Sequence, residues 1–124
     1  MQRSIRLAAG LGAFAAAAAA LAPSGDAGRN VLALSGSVGP GFTISLKGSS
    51  GRAVKKLKAG RYTISVRDQA AIHDFHLVGP GVDKVITAVE FTGSKRITLT
   101  LRKGTYTFVC DPHSSFMRGS FKVV

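Results

Sequence analysis

The last twenty residues, 105–124, are TYTFVCDPHSSFMRGSFKVV. Residues 106–110 follow a turn at Lys103–Gly104 and begin a strand, and residues 119–124 supply the last strand. Cys110, His113 and Met117 lie in the short loop between these two strands. The pattern therefore predicts a strand–loop–strand unit whose loop brings together three side chains that can bind a metal ion.

The chain upstream of this unit repeats the strand signal. Segments rich in Thr, Val and Ile are separated by Gly, Ser and Pro, and no stretch after residue 27 has a helical period. An irregular segment at 85–91 also contains β-branched residues. About seven to eight short strands of this kind predict an all-β fold, an antiparallel β-sandwich. The clearest upstream strands are expected at residues 31–34, 42–46, 62–66, 73–77 and 97–101.

The loop offers a soft set of donors. A thiolate, an imidazole and a thioether together favour copper(I), and His with Cys also holds copper(II). A trigonal site of two His and one Cys with a distant Met is the blue-copper arrangement, and it requires a second His from elsewhere in the fold.

The second imidazole has two candidates, His73 and His76. They lie three residues apart on an expected strand and therefore face opposite sides. His73 shares its side with Phe75 and Leu77, which favours an inward position, although His76 also has apolar neighbours. We therefore predict one mononuclear copper ion held by His73, Cys110, His113 and, as a weak fourth ligand, Met117.

Other interpretations of these residues are weaker. The thiol could be a small buried hydrophobe, the methionine could fill the core and the histidines could lie on the surface. Structural zinc prefers four ligands without Met. A Cys–His nucleophile would need an orienting group and an oxyanion site that the sequence does not indicate. We therefore expect a protein that is not an enzyme.

Residues 1–27 are predicted to be a secretory signal peptide. Arg3 and Arg6 precede an uncharged apolar run over residues 7–22, and small residues follow at two possible cleavage points. The run is shorter than the roughly 20 residues that span a bilayer. Residues 28–124 are thus expected to form an exported domain, periplasmic, in the cell envelope or secreted, with no transmembrane segment.

The chain is strongly basic, with 17 Lys and Arg, 6 Asp and Glu, and a formal net charge of +11. Most of these cations are expected to solvate the outer faces of strands. The excess favours redox partner proteins with acidic docking surfaces. The export signal and the lack of a recognition motif argue against nucleic acid. The single Cys cannot form an internal disulfide, and we expect a monomer.

The spacing Cys-x2-His-x3-Met between two strands resembles the ligand loop of the cupredoxin family, in particular plastocyanins, amicyanins and pseudoazurins. The segment from His73 to His76 resembles the part of that family that carries the first ligand, which is the first His in amicyanin-like proteins. The resemblance covers residues 31–124 and implies a Greek-key β-sandwich that shuttles single electrons. It also implies an apolar edge around the exposed His113, for which the candidates are Pro40, Pro80, Pro112 and Phe116.

Two positions depart from the family pattern. Asp74 stands where the family usually has Asn, whose side chain ties the first-ligand strand to the Cys loop; a carboxylate cannot donate unless it is protonated. The three-residue spacing from His113 to Met117 lies between the shorter and longer family loops, which leaves axial ligation by Met117 open. A copper carrier or buffer with the same ligands is the alternative function, and a copper-free interaction module is the third.

Overall fold

The computed structural model describes residues 30–124, in which nine strands are distributed between two sheets. The predicted signal peptide at 1–27 lies outside the described residues. A 3₁₀ turn over Asp111–His113 interrupts the last connection. The strands are β1 (Val31–Val38), β2 (Ile44–Lys47), β3 (Lys56–Leu57), β4 (Gly60–Asp68), β5 (Phe75–Gly79), β6 (Val82–Thr87), β7 (Gly93–Leu101), β8 (Gly104–Val109) and β9 (Arg118–Val123).

The two sheets confirm the predicted β-sandwich. One has the order β2-β1-β4-β7 and the other β3-β9-β8-β5-β6. Two neighbouring pairs, β1 with β4 and β3 with β9, are parallel, and the remaining pairs are antiparallel. The sheets are therefore mixed rather than purely antiparallel, because alternation within a strand decides which face is buried and leaves the choice of partner open.

Period-two alternation builds the core between the sheets. On β4, Tyr62, Ile64 and Val66 are buried, whereas Ser65 between them and Arg61 and Arg67 at the two ends of this run are exposed. The inner face of the second sheet supplies stacked aromatic rings that close the core. Within residues 30–124, no helix is long and apolar enough to cross a membrane.

The bounds of several strands differ from those that the sequence pattern predicts. The expected strand at 42–46 starts at Ile44, the one at 73–77 starts at Phe75, and β8 ends at Val109, before Cys110. The irregular segment at 85–91 corresponds to β6, which ends at Thr87. The late starts of β2 and β5 and the early end of β8 leave Phe42, His73 and Cys110 outside the strands. All three residues lie at the end of the sandwich where the β1–β2, β4–β5 and β8–β9 connections meet.

Candidate metal centre

The β8–β9 connection is a short loop that closes on itself. The N–H of His113 donates to the carbonyl of Cys110 at 3.0 Å, and the N–H of Met117 donates to the carbonyl of His113 at 2.9 Å. The N–H of Cys110 donates in turn to the carbonyl of Met117 at 3.0 Å. Pro112 lies inside the 3₁₀ turn, where its fixed φ suits the helical backbone. These bonds fix the backbone positions of all three predicted loop ligands.

His73 reaches the same place from the β4–β5 connection. It lies two residues before β5 and its side chain is fully buried. Gly39 makes room for it, because a Cβ at that position would lie 3.1 Å from the His73 ring. The φ of Gly39 is +78°, a conformation that side chains with a Cβ rarely adopt. The inward position of His73 is thus supported from the β1–β2 connection as well.

Three donor atoms converge at this end of the sandwich. The Nδ1 atoms of His73 and His113 are 3.3 Å apart, and the Sγ of Cys110 is 3.6 Å and 3.5 Å from them. A point equidistant from the three corners of such a triangle lies about 2.0 Å from each, close to the ~2.0–2.1 Å of a zinc–imidazole bond. Among the described residues, these three form a group whose donor atoms lie close enough together to hold a metal ion.

The chemistry of these atoms fits a copper ion. Three donors that point at one another can form only a few weak hydrogen bonds among themselves, whereas a metal ion accepts electron pairs from all three. Burial raises the pKa of the Cys110 thiol, although backbone N–H groups of Asp74 and His113 act in the opposite direction. A bound cation deprotonates a coordinating thiol outright. The Nε2 of His73 is buried and has no hydrogen-bond partner within the described residues.

Met117 is buried in the core cluster with 1% of its surface exposed. Its N–H donates to the carbonyl of His113, and its carbonyl accepts from the N–H of Cys110. These two bonds hold the Met117 backbone beside the backbone of Cys110. Ligation by its thioether stays a prediction, as does ligation by the other three residues.

Asp74 connects the two segments that carry the predicted ligands. The backbone N–H of Asp111 donates to the Asp74 Oδ1 at 2.6 Å, which ties the His73 segment to the Cys110 loop. The Asp74 side chain accepts this bond, so no donated proton is needed. Burial and the neighbouring carboxylate of Asp111 raise the pKa of Asp74 to about 6, and the hydrogen bond from Asp74 lowers the pKa of Asp111.

His76 lies outside the donor cluster. Its Nδ1 is 3.0 Å from the Asp111 carboxylate, and its Nε2 forms an ion pair with Asp83. Burial lowers the pKa of His76, but the two carboxylates outweigh that effect and raise it overall. Because Asp83 and Asp111 contact opposite sides of the ring, these three residues do not converge on one point.

An aromatic rim surrounds the half-buried His113. The Phe42 ring meets the rings of His113 and His73 edge-on, with centroids 5.0 Å and 5.6 Å away. Phe116 lies 5.8 Å from His113, and both phenylalanines are more than half exposed, at 57% and 58%. Sequence reasoning found Phe116 but missed Phe42, which alternation had assigned to a strand.

The prolines predicted to edge His113 lie at both ends of the sandwich. Pro40 and Pro112 are exposed on the connections that form the metal centre. Pro80 was a wrong candidate, because it follows β5 at the opposite end, where its carbonyl accepts a hydrogen bond from the Tyr106 hydroxyl. A proline in a turn carries no signal about which end of a sandwich it occupies.

Comparison with known proteins agrees with this geometry. The family model of copper binding proteins of the plastocyanin/azurin family matches residues 53–124. Rusticyanin from Thiobacillus ferrooxidans is similar in structure, with a TM-score of 0.53, 17% identity and 78% of each chain covered. A structure of reduced rusticyanin has a TM-score of 0.51 and 18% identity, and the match covers 78% of this chain and 80% of that one.

No curated protein matches this chain. At these identities the rusticyanin structures support the fold alone. The family match covers more than half of the chain and includes Cys110, His113 and Met117. Together with the His–Cys–His cluster, it indicates a single type 1 copper site. The chain therefore belongs to the plastocyanin/azurin family of copper-binding proteins and has the cupredoxin fold.

Proposed function

We propose that this protein is an exported type 1 copper protein that carries single electrons between redox proteins and performs no bond chemistry. His73, Cys110 and His113 would be the three close ligands, and Met117 the weak fourth. The observation that carries the proposal is the convergence of two imidazole nitrogens and one sulfur, with mutual distances of 3.3–3.6 Å, at one end of the sandwich where His73 and Cys110 are buried.

When bound, copper supplies a one-electron couple between its cupric and cuprous states. The chain supplies a set of donors that is held in place from three connections. The loop hydrogen bonds fix Cys110 and His113, while Gly39 and the strand that follows fix His73. A rigid frame of this kind limits rearrangement when the charge at the site changes. Burial of Cys110 and His73 also excludes water from the sulfur.

The route for electrons would run through the half-buried His113. The exposed rings of Phe42 and Phe116 both contact it and each other, and exposed Ile72 precedes His73 on the neighbouring connection. An apolar rim lets a partner approach closely without having to desolvate charged groups. Residues 28–124 carry 15 Lys and Arg against 5 Asp and Glu, and this net charge of +10 would steer acidic partners toward the protein at low ionic strength.

Export rests on the sequence of residues 1–27, with their arginines, apolar run and small residues. In this proposal that segment is removed, and residues 28–124 are the functional domain. N-terminal sequencing of the protein recovered from the cell envelope or the medium tests it. A mature N-terminus near Gly28 is expected, and protein that stays in the cytoplasm with Met1 intact would contradict export.

Copper titration tests the ligand set. One equivalent of copper(II) should produce an intense blue band and a narrow copper hyperfine splitting in electron paramagnetic resonance. Cys110→Ser and His73→Ala should each abolish both signals. His76→Ala is the matched control, because His76 lies three residues away and outside the cluster, and this variant should stay blue.

The same titration separates electron transfer from the alternative carrier function. A reversible couple with both oxidation states bound supports an electron carrier. Binding of copper(I) alone, without a stable cupric form, would instead support transport or buffering of the ion. A protein that binds copper in neither state would contradict both functions.

A further inference from the structure

The outer face of the four-stranded sheet has an unusual composition. Strand register places fourteen side chains on it, and apart from Val31 and Ala33 at one corner they are hydroxyl-bearing or cationic. We call it the hydroxyl–arginine face. The polar members are Ser35, Ser37, Ser45, Lys47, Arg61, Thr63, Ser65, Arg67, Ser94, Arg96, Thr98 and Thr100, of which Ser45 lies at the edge.

The register orders this face into rows across the strands. One row runs from Lys47 through Ser35 and Ser65 to Arg96. A hydroxyl pair, Thr63 and Thr98, is joined by a 2.9 Å hydrogen bond. Neighbouring strands are about 4.8 Å apart, so such a row spans about 14 Å. The short side chains leave a broad surface with many hydrogen-bond donors and acceptors.

Four cations share this face, and no carboxylate of residues 30–124 lies on it. Arg67 and Arg96 are diagonal neighbours, at about 7–8 Å by strand geometry. Ion pairs within the described residues are those of His76 on the other sheet. Of the acidic side chains there, Asp68 and Asp74 are buried, and the others lie in or beside the second sheet or on the β6–β7 connection. Like charges without a carboxylate nearby favour an anionic ligand.

The chemistry of the face selects among anionic partners. A protein interface of normal affinity is anchored by aromatic or large apolar side chains, and this face has none apart from Val31. Peripheral membrane binding likewise relies on apolar groups that enter the bilayer. Arginine forks bind phosphate, sulfate or carboxylate, and hydroxyls pair with the hydroxyls of sugars. We propose that the hydroxyl–arginine face binds an anionic glycan, a polymer that presents both kinds of group.

The test compares charge-matched variants of the full-length protein. Arg67→Gln with Arg96→Gln removes two charges from the face. Lys56→Gln with Lys122→Gln removes two charges from the outer face of the other sheet, where these lysines are paired in register. Binding to heparin, to uncharged dextran and to phosphatidylglycerol vesicles is measured by calorimetry at several salt concentrations, with circular dichroism to verify folding.

We expect heparin binding by the wild type, a loss of about tenfold or more in the arginine variant, and a change of less than about threefold in the lysine variant. The slope of log affinity against log salt should fall by about one to two in the arginine variant. Equal losses in both variants would show that only net charge matters and would overturn the proposal. Equal binding to dextran, or binding to the vesicles without binding to heparin, would also overturn it.

Discussion

Replacement of Asp74 by Asn should remove a specific pH dependence from the stability of the copper-free protein. Burial and the neighbouring Asp111 carboxylate raise the pKa of Asp74 from an ordinary value of 3.8 to about 6. Folded Asp74 therefore holds its proton more tightly than unfolded Asp74. The corresponding stabilisation is fully present below pH 3.8 and is lost as the pH rises through about 6. Asn keeps an oxygen that can accept the hydrogen bond from Asp111.

The size of the effect follows from these values. One pKa unit corresponds to about 1.4 kcal/mol, and the linkage relation gives a loss of roughly 2 kcal/mol between pH 4.5 and 6.5. Coupling to Asp111, whose pKa is lowered, offsets part of this amount. We therefore expect the wild type to lose about 1–2 kcal/mol over this interval, or roughly 4–12 °C in Tm for a domain of this size.

Urea unfolding of copper-free protein at pH 4.5 and 6.5 measures the effect. The Asp74→Asn variant should gain stability relative to the wild type at pH 6.5 and much less at pH 4.5. Asp68→Asn is the matched control, since Asp68 is also buried but lies outside the metal centre, and it should leave the wild-type dependence in place. An Asp74→Asn variant with the same loss between the two pH values as the wild type would refute the reasoning.

Three further predictions concern packing and the metal centre. Gly79→Ala should lower the free energy of unfolding by about 3 kcal/mol or more in urea, because the added Cβ would overlap the Tyr106 ring, which two hydrogen bonds hold in place. Gly41 faces open space, so Gly41→Ala should be nearly neutral. Equal effects of the two substitutions would contradict this prediction. Phe42→Ala should speed copper loss to a chelator about tenfold by opening the edge of both imidazoles to water; an unchanged rate would show that the ring does not shield the site. Met117→Leu should raise the reduction potential measured by voltammetry, because losing a donor disfavours the more highly charged ion; an unchanged potential would exclude the thioether as a ligand.

The strands with clear alternation were predictable from sequence, and so was the sandwich. Residues 62–66 and 97–101 lie within β4 and β7, which pair along their whole length. The parallel partnership of β1 and β4 was not predictable, because the residues of β1 determine its buried face but not which neighbour it joins. The two-residue strand β3 is too short to show any period.

The donor cluster was predictable because its residue types are rare in this chain and close in sequence. The position of His73 was inferred from strand facing, yet the structure places it before β5, so the inward orientation comes from the connection and from Gly39. Phe42 could not be found, since an aromatic residue in an alternating segment indicates a buried strand. Only the late start of β2 exposes its ring over the imidazoles.

The self-closing hydrogen bonds of the β8–β9 loop have a consequence for protein engineering. Three of the predicted ligands are spaced by bonds that begin and end within residues 110–117, so their mutual arrangement depends little on the strands outside. Such a segment can be transplanted between sandwiches as a cassette, provided that the host supplies a glycine-backed histidine and a carboxylate or amide to accept the N–H of Asp111. Exchange of this loop can therefore alter the metal centre while the two-sheet frame is conserved.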